Sequence, residues 1–224
     1  FNQDISSWNV SNVTDWHETF WTGNGNSTPI PSLSDENKCA IHTSWSTQNA
    51  AWPYDWSSEC ANYTYVPDDN FEQALIDLGY DNILSNFVVT DSISGITSLV
   101  VEYQEISDLT GIEGFTALTS LFCKGNQLTT LDLSNNTALT YLECHINQLT
   151  SLNLSANTAL TGLLATSNQL TTLDLTNNTA LTNINLSSNL LASLDLSSNT
   201  ALTWLSCGNN QLTGLDLSSN TALT

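Results

Sequence analysis

The chain has 224 residues, of which 22 are acidic and only two are basic, giving a formal net charge of −20 at pH 7. A surface this acidic repels the phosphates of nucleic acids and the headgroups of anionic membranes, so both are excluded as partners. No run approaches about 18 apolar residues, and we therefore expect no membrane insertion within this segment.

Residues 1–31 begin with the pattern F-N-x-D-I-S-x-W-N-V-S-N-V-T. This pattern resembles the BspA-like repeat of bacterial surface proteins, although Trp16 and Phe20 stand where that repeat more often has Met. We predict that residues 1–31 are the end of a BspA-like repeat solenoid. Because residues 221–224 start another copy of the downstream repeat and then stop, we expect the sequence to be a fragment, with further repeats of the same chain at both ends.

Residues 32–64 are predicted to form a capping or linker segment. Ser34 can cap a helix over residues 35–43, with acidic residues in its first turn. Four aromatic residues follow: Trp45, Trp52, Tyr54 and Trp56. Such a cluster is consistent with a sugar site, but we favour a plug that covers the end of the first solenoid.

The five cysteines fall into two groups. Cys39 and Cys60 flank the tryptophan-rich stretch, and we predict a disulfide between them, which implies an oxidising compartment. Cys123, Cys144 and Cys207 share one column of the downstream repeat, where other copies have Ala or Leu, so they are predicted to be small buried side chains. No group of Cys and His has the spacing of a zinc site.

Residues 65–95 are predicted to form the N-terminal cap of a second solenoid. Asp68 begins a helix with Phe71, Ala74, Leu75 and Leu78 on one face, and a glycine ends it. The acidic residues of this helix lack the spacing of a calcium-binding EF-hand, and capping explains those in its first turn.

Residues 96–224 are predicted to form that solenoid. Five copies of a 21-residue unit follow one another without a gap over residues 116–220, and a fixed period this short means stacked coils. The pattern L-x-x-L-x-(C/A/L)-x-x-N-x-L, as at Leu118, Leu121 and Asn126, resembles the leucine-rich repeat family. The resemblance implies 21-residue coils with short parallel strands, poor in regular α/β structure and with little helix outside the caps. Residues 96–115 are predicted to form an irregular lead-in coil, whose apolar residues lie 22 positions before their counterparts in the first copy.

Two asparagine columns never vary between the copies. The first ladder is Asn126, Asn147, Asn168, Asn189 and Asn210, and the second ladder is Asn136, Asn157, Asn178, Asn199 and Asn220. A carboxamide donates and accepts, so a buried Asn can bond its own coil and the next one. We interpret both ladders as structural.

The outward positions of the first half of each copy change freely, whereas the second half is nearly constant. Leucine-rich repeat proteins of this kind use the strand face for binding, and exposed aromatic residues anchor interfaces. We therefore predict a ligand-binding face that includes Tyr141, Trp204, Phe122, Glu143, His145 and Lys124. The alternative is that these positions vary by neutral sequence drift on a face that binds no partner.

The regular columns of the repeat invite two other hypotheses. A column of outward carboxylates, broken by Asn153, is compatible with calcium bridging between coils; its members are Asp132, Asp174, Asp195 and Asp216. A regular threonine column resembles those of ice-binding solenoids, but the paired threonines that such surfaces need are absent. We expect no cofactor, with calcium as the less favoured alternative.

No catalytic motif is present, since the histidines are scattered and the carboxylates follow the repeat instead of converging; the Glu143–His145 pair is the one to test. We predict a non-enzymatic recognition or adhesion module of a secreted or surface-attached bacterial protein. It resembles leucine-rich surface proteins of Bacteroidetes and would bind an unidentified protein or glycan. A passive stalk or spacer is the alternative.

Overall fold

The structure is a computed structural model that describes residues 5–12, 33–50 and 56–224. The predictions made for Trp16, Phe20, Trp52 and Tyr54 lie outside the described residues. Within the described residues, no helix is long and apolar enough to cross a membrane.

The N-terminal part is built around helix α1, Asp35–Gln48, which begins at Ser34 as predicted, with Ser34 Oγ accepting from the Asn37 amide at 3.2 Å. The predicted end at residue 43 was wrong, because α1 continues far enough to bury Trp45. A small apolar cluster forms there: Ile5, Val10, Leu33, Ile41, Trp45 and Trp56. The Trp45 and Trp56 side chains therefore pack against residues 5–12. Helix α2, Ser57–Cys60, follows.

The cap pairs strand β1, Tyr63–Tyr65, antiparallel with strand β2, Phe87–Val89, and places helix α3, Asp69–Asp77, between them in sequence. Helix α4, Thr90–Ile93, leads into the first coil. Helix α3 buries Phe71, Ala74 and Leu75 as predicted, but Leu78 lies beyond the end of the helix and is exposed, so its predicted place in the apolar face was wrong.

Asp68 connects the cap to the solenoid. One carboxylate oxygen accepts from the amides of Asn70 and Phe71, which caps α3, and the other accepts from Ser107 and the Asp108 amide. Burial raises the pKa of Asp68, but these hydrogen bonds outweigh it and hold the pKa below its ordinary value.

The solenoid contains six parallel strands, each contributed by one coil. They are β3 Ser98–Val100, β4 Ser120–Phe122, β5 Tyr141–Glu143, β6 Gly162–Leu164, β7 Asn183–Asn185 and β8 Trp204–Ser206. The middle residues are in register, so that Leu99 pairs with Leu121 and Leu121 with Leu142. The predicted leucine-rich repeat solenoid with short parallel strands is confirmed, and the lead-in coil joins it through β3.

One continuous core runs from the cap through the coils, formed by the inward leucines and by Cys123, Cys144 and Ala165. The second half of each coil also points its leucines inward but forms no strand. The two sides of the coil therefore bury apolar side chains alike, while only one side has a regular hydrogen-bonded sheet.

The two asparagine ladders are buried, except for the half-buried Asn210, and they bond differently. In the first ladder, Asn168 Nδ2 donates to the carbonyls of Cys144 and Ala165, and its Oδ1 accepts from the Leu149 amide. These bonds reach its own coil and the preceding one. In the second ladder, Asn178 Nδ2 donates to the carbonyls of Leu154 and Asn157, but its Oδ1 accepts from none of the described residues.

Candidate functional site: the strand face

The strand face is the set of outward side chains at three positions of each repeat, which lie in columns across β4 to β8. The first column is Ser120, Tyr141, Gly162, Asn183 and Trp204; the second is Phe122, Glu143, Leu164, Asn185 and Ser206; the third is Lys124, His145, Thr166, Ser187 and Gly208. The buried middle residue of each strand separates the first column from the second. Strand alternation thus places all six predicted ligand-binding residues on one surface.

The predicted residues other than Trp204 meet in the first two copies of the repeat. The rings of Phe122 and Tyr141 have centroids 5.6 Å apart. Glu143 Oε1 lies 3.4 Å from His145 Nδ1. Lys124 Nζ lies 5.3 Å from the ring centroid of Tyr103, an exposed residue of the lead-in coil that the sequence analysis did not single out. Tyr103 lies 22 residues before Gly125, and this repeat spacing is the sequence feature that could have placed it beside the first copy.

Burial lowers the pKa of His145, and the positive charge of Lys124 lowers it further, against an opposing effect of Glu143. At neutral pH His145 is therefore mostly uncharged, and its contact with Glu143 is a polar contact and not an ion pair. Burial and the Glu143 carboxylate raise the pKa of Tyr141, which keeps its hydroxyl protonated. This end of the strand face offers donors, acceptors and one fixed positive charge.

A shallow cavity of about 170 Å³ lies at the other end of the strand face, between Tyr141 and Trp204. Gly162 pairs with Tyr141 across β5 and β6, and a Cβ at position 162 would lie 2.5 Å from Tyr141 Cδ2. The absence of a side chain therefore lets the Tyr141 ring lie over the next strand. Asn183 is exposed in the floor, and Trp204 is 43% exposed.

The opposite side of the coil uses its constant side chains for internal bonds. Asp174 Oδ1 accepts from the Thr176 amide at 2.9 Å, and Asn153 makes the same bond to Ser155. These backbone bonds, with a side-chain bond from Thr176, lower the pKa of Asp174. The same local turn and the same pKa direction hold for Asp132, Asp195 and Asp216. The described residues contain no group of three or more His, Cys, Asp or Glu that could hold a metal ion.

The threonine column is also engaged internally, because each hydroxyl donates to the carbonyl of the threonine one coil earlier, as Thr161 does to Thr140 at 3.0 Å. Its regularity therefore has a structural cause.

Cys39 and Cys60 form a disulfide that joins α1 to α2. Cys123 and Cys144 are buried free thiols, while Cys207 is half-buried. Burial raises the pKa of Cys144 to about 12 and that of Cys123 well above its ordinary value. These two thiols are therefore packing groups with little thiolate character.

Comparisons with known proteins find similarity between this chain and bacterial leucine-rich repeat proteins. No protein-family model matches the sequence. Over 72 residues, 32% of this chain and 8% of the relative, it is 41% identical to internalin J of Listeria monocytogenes. A solved functional domain of that protein, described as including a cysteine ladder, superimposes with a TM-score of 0.67 at 40% identity, covering 72% of this chain and 37% of that one.

Two further solved structures are similar. Internalin C2 of Listeria monocytogenes gives a TM-score of 0.65 at 25% identity, with 73% of this chain and 76% of that one covered. A leucine-rich repeat protein of Leptospira interrogans gives 0.50 at 20% identity, covering 60% of this chain and 43% of that one, a likeness in fold. The fold is a leucine-rich repeat solenoid, as in these bacterial proteins.

Proposed function

We propose that this chain is a non-catalytic recognition or adhesion module of a bacterial surface or secreted protein, and that it binds a protein or glycan through the strand face. The observation that carries the proposal is the contrast between the two sides of the coil. On the side opposite the strands, constant side chains such as Asp174 bond the backbone. On the strand face, by contrast, Trp204 is exposed and Tyr141 is half-buried, at positions where other copies have Ser, Gly or Asn.

The similarity to a solved functional domain of internalin J supports a role beyond spacing. The inward column Cys123, Cys144 and Cys207 also parallels the cysteine ladder described for that domain, although Ala165 and Leu186 interrupt it here. Since the chain spans only part of internalin J, the activity of a whole protein is not carried over. A Bacteroidetes source and the BspA-like repeat over residues 1–31 stay part of the proposal, whereas the similar proteins come from Listeria and Leptospira.

An extracellular location fits two features of the chain. The Cys39–Cys60 disulfide persists in an oxidising compartment, and a net charge of −20 keeps a secreted protein soluble. The calcium-bridged alternative is less favoured, because one oxygen of each carboxylate in the Asp column already accepts a local backbone hydrogen bond.

The test screens the purified chain on arrays of glycans and of extracellular protein domains, beside a double variant, Tyr141→Ala with Trp204→Ala. Trp8→Ala is the matched control, because Trp8 is 58% exposed and lies outside the strand face. Recognition predicts at least one binder that the double variant loses and the control retains. A passive spacer predicts no specific binder, and that result would reject the proposal.

A further inference from the structure

Exposed apolar side chains cluster where the strand face meets the lead-in coil. Val100 lies beside Phe122 in the register of β3 and β4, and the Phe122 ring packs against Tyr141 at 5.6 Å between centroids. Tyr103 and Ile146 occupy the turn that follows the strand in their coils. Val100 is 51% exposed, Tyr103 59% and Ile146 48%. Contiguous exposed apolar surface on a soluble protein marks an interaction site.

The backbone of this turn does not favour the large side chains that it carries. Tyr103 has a φ of 55° and Ile146 a φ of 56°, in the left-handed region that suits Gly and Asn and strains a β-branched residue. The other copies fill the same turn with small or polar residues: Gly125, Ser167, Ser188 and Asn209. The turn therefore forms without Tyr or Ile, and strain that the fold does not need is typical of a functional surface.

The side chains from neighbouring coils form one surface. The Tyr103 ring lies over Gly125, because a Cβ at position 125 would collide with it, so the ring fills the place next to Ile146. Lys124 is two residues after Phe122 on the strand face, and its Nζ lies 5.3 Å from the centroid of the Tyr103 ring. We define the cap-proximal patch as these five residues: Val100, Tyr103, Phe122, Lys124 and Ile146.

The charges beside the patch favour a basic partner. A hydrogen bond to Tyr103, together with the carboxylates of Glu102 and Glu143, raises the pKa of Lys124, so two carboxylates lie close to one ammonium group. The whole chain has a net charge of −20, which attracts a positively charged protein and repels an acidic partner or a second copy of this chain. Val100 and Ile146 have no hydrogen-bonding side-chain group, so their exposed surface suits apolar side chains of a protein better than the hydroxyls of a glycan.

Resting on the proposed recognition function, we propose that the cap-proximal patch is the docking centre for a basic extracellular protein. An apolar side chain of that protein packs among Val100, Tyr103 and Ile146, and Lys or Arg side chains beside it pair with Glu102 and Glu143. The binding surface thus extends from the strand face onto the lead-in coil. A glycan and a second copy of this chain are the competing occupants.

The experiment applies the purified chain to arrays of glycans and of extracellular protein domains that span acidic to basic net charge. Each binder is then measured by surface plasmon resonance against the double variant Tyr103→Asn with Ile146→Asn. Ser188→Asn is the matched control, because Ser188 occupies the same turn two coils after Ile146, with a φ of 56°. The proposal expects basic domains as binders, with a Kd about tenfold weaker for the double variant and unchanged for the control.

Stability separates docking from a structural role. Because both substitutions place Asn in a conformation that it tolerates, the melting temperature of the double variant should be unchanged or higher while binding is lost. If the double variant unfolds, the single variants Tyr103→Asn and Ile146→Asn are used for the same comparison. A docking residue loses binding without losing stability, and a residue with a purely structural role does not.

The charge contribution is tested separately. Raising NaCl from about 50 to about 500 mM should weaken the Kd about tenfold. Glu102→Gln with Glu143→Gln should slow association about threefold or more and reduce this salt dependence, because charges at the edge of an interface act mainly on the association rate.

Four results overturn the inference: the binders are glycans, the binders are protein domains without net positive charge, a basic domain binds the Tyr103→Asn, Ile146→Asn variant as tightly as the unmodified chain, or its affinity does not depend on salt. Sedimentation velocity adds a fifth, which is self-association that this variant abolishes. A binder lost by Tyr141→Ala with Trp204→Ala but kept by Tyr103→Asn with Ile146→Asn rejects the docking centre and keeps recognition by the strand face. No binder on either array rejects both.

Discussion

Each coil has two sides that both bury leucine side chains, but the backbone of each side is hydrogen-bonded in a different way. On the strand side, hydrogen bonds between neighbouring strands such as β5 and β6 satisfy the backbone. Outward side chains such as Tyr141 and Asn183 are therefore not needed to bond the backbone. On the opposite side there is no strand, and side chains such as Asp174 satisfy backbone groups instead. Positions that are constant between the copies therefore form hydrogen bonds to the backbone, whereas positions that vary provide surface that is available for a ligand.

The largest expected effect on stability comes from replacing the ladder asparagines, one of which follows each side of the coil. Asn168→Ala leaves the Leu149 amide buried without a partner and removes one of the two donors to each of the Cys144 and Ala165 carbonyls, so it should cost about 3–5 kcal/mol of unfolding free energy. Asn178→Ala leaves no amide unpaired and removes one of the two donors to each of the Leu154 and Asn157 carbonyls, so it should cost only about 2–3 kcal/mol. Urea denaturation measures both. Equal losses, or a larger loss for Asn178, would contradict the bonding difference between the ladders.

A bulky residue at Gly162 tests how closely the strand side is packed. Gly162→Val places branched carbon atoms against the Tyr141 ring, which must move. We expect a loss of about 1–3 kcal/mol in urea denaturation, because overpacking forces a shift of the neighbour. Gly208→Val is the matched control, since a Cβ at position 208 meets nothing within 4 Å. Similar costs at both positions would mean that Tyr141 does not rest on Gly162.

The turn after each strand offers a substitution that should stabilise the protein. Ile146 has a φ of 56°, in the left-handed region, where its counterparts include Gly125 and Asn209. A β-branched residue is strained there, so Ile146→Asn should raise the unfolding free energy by about 0.5–1 kcal/mol. Thermal denaturation measures the gain, with Ser167→Asn as the control expected to change less. A lower melting temperature for Ile146→Asn would show that contacts of the Ile146 side chain outweigh the strain.

The opposite side is expected to respond to acid and not to neutral pH. The lowered pKa values of the Asp column mean that its stabilising contribution is present above the ordinary value of 3.8 and is lost as pH falls through the lower folded values. Replacing Asp132, Asp174, Asp195 and Asp216 together by Asn should leave stability at pH 7 nearly unchanged, because Asn153 already forms this turn. The loss of stability below about pH 4 should shrink. Denaturation midpoints from pH 2 to 7 test this, and an unaltered acid profile would contradict it.

The repeat made the solenoid predictable, because a period of 21 residues fixes both the stacking and the inward leucines. Contacts that cross between coils were less accessible to sequence reasoning. The packing of the Tyr141 ring on Gly162 depends on the register of two strands. The difference in hydrogen bonding between Asn168 and Asn178 depends on which amides face each carboxamide. The helix through Trp45 ran past its predicted end because burial of that ring, a tertiary contact, overrode the local signal.

The most direct test of the account compares stability and binding in one variant. Tyr141→Ala with Trp204→Ala should lower the unfolding free energy by about 1–2 kcal/mol, below the loss for Asn168→Ala, because Trp204 is exposed and Tyr141 is only half-buried. The same variant should lose the binder found with the unmodified chain. If it instead unfolds as readily as Asn168→Ala, or retains full binding, the strand face is not the surface reserved for recognition.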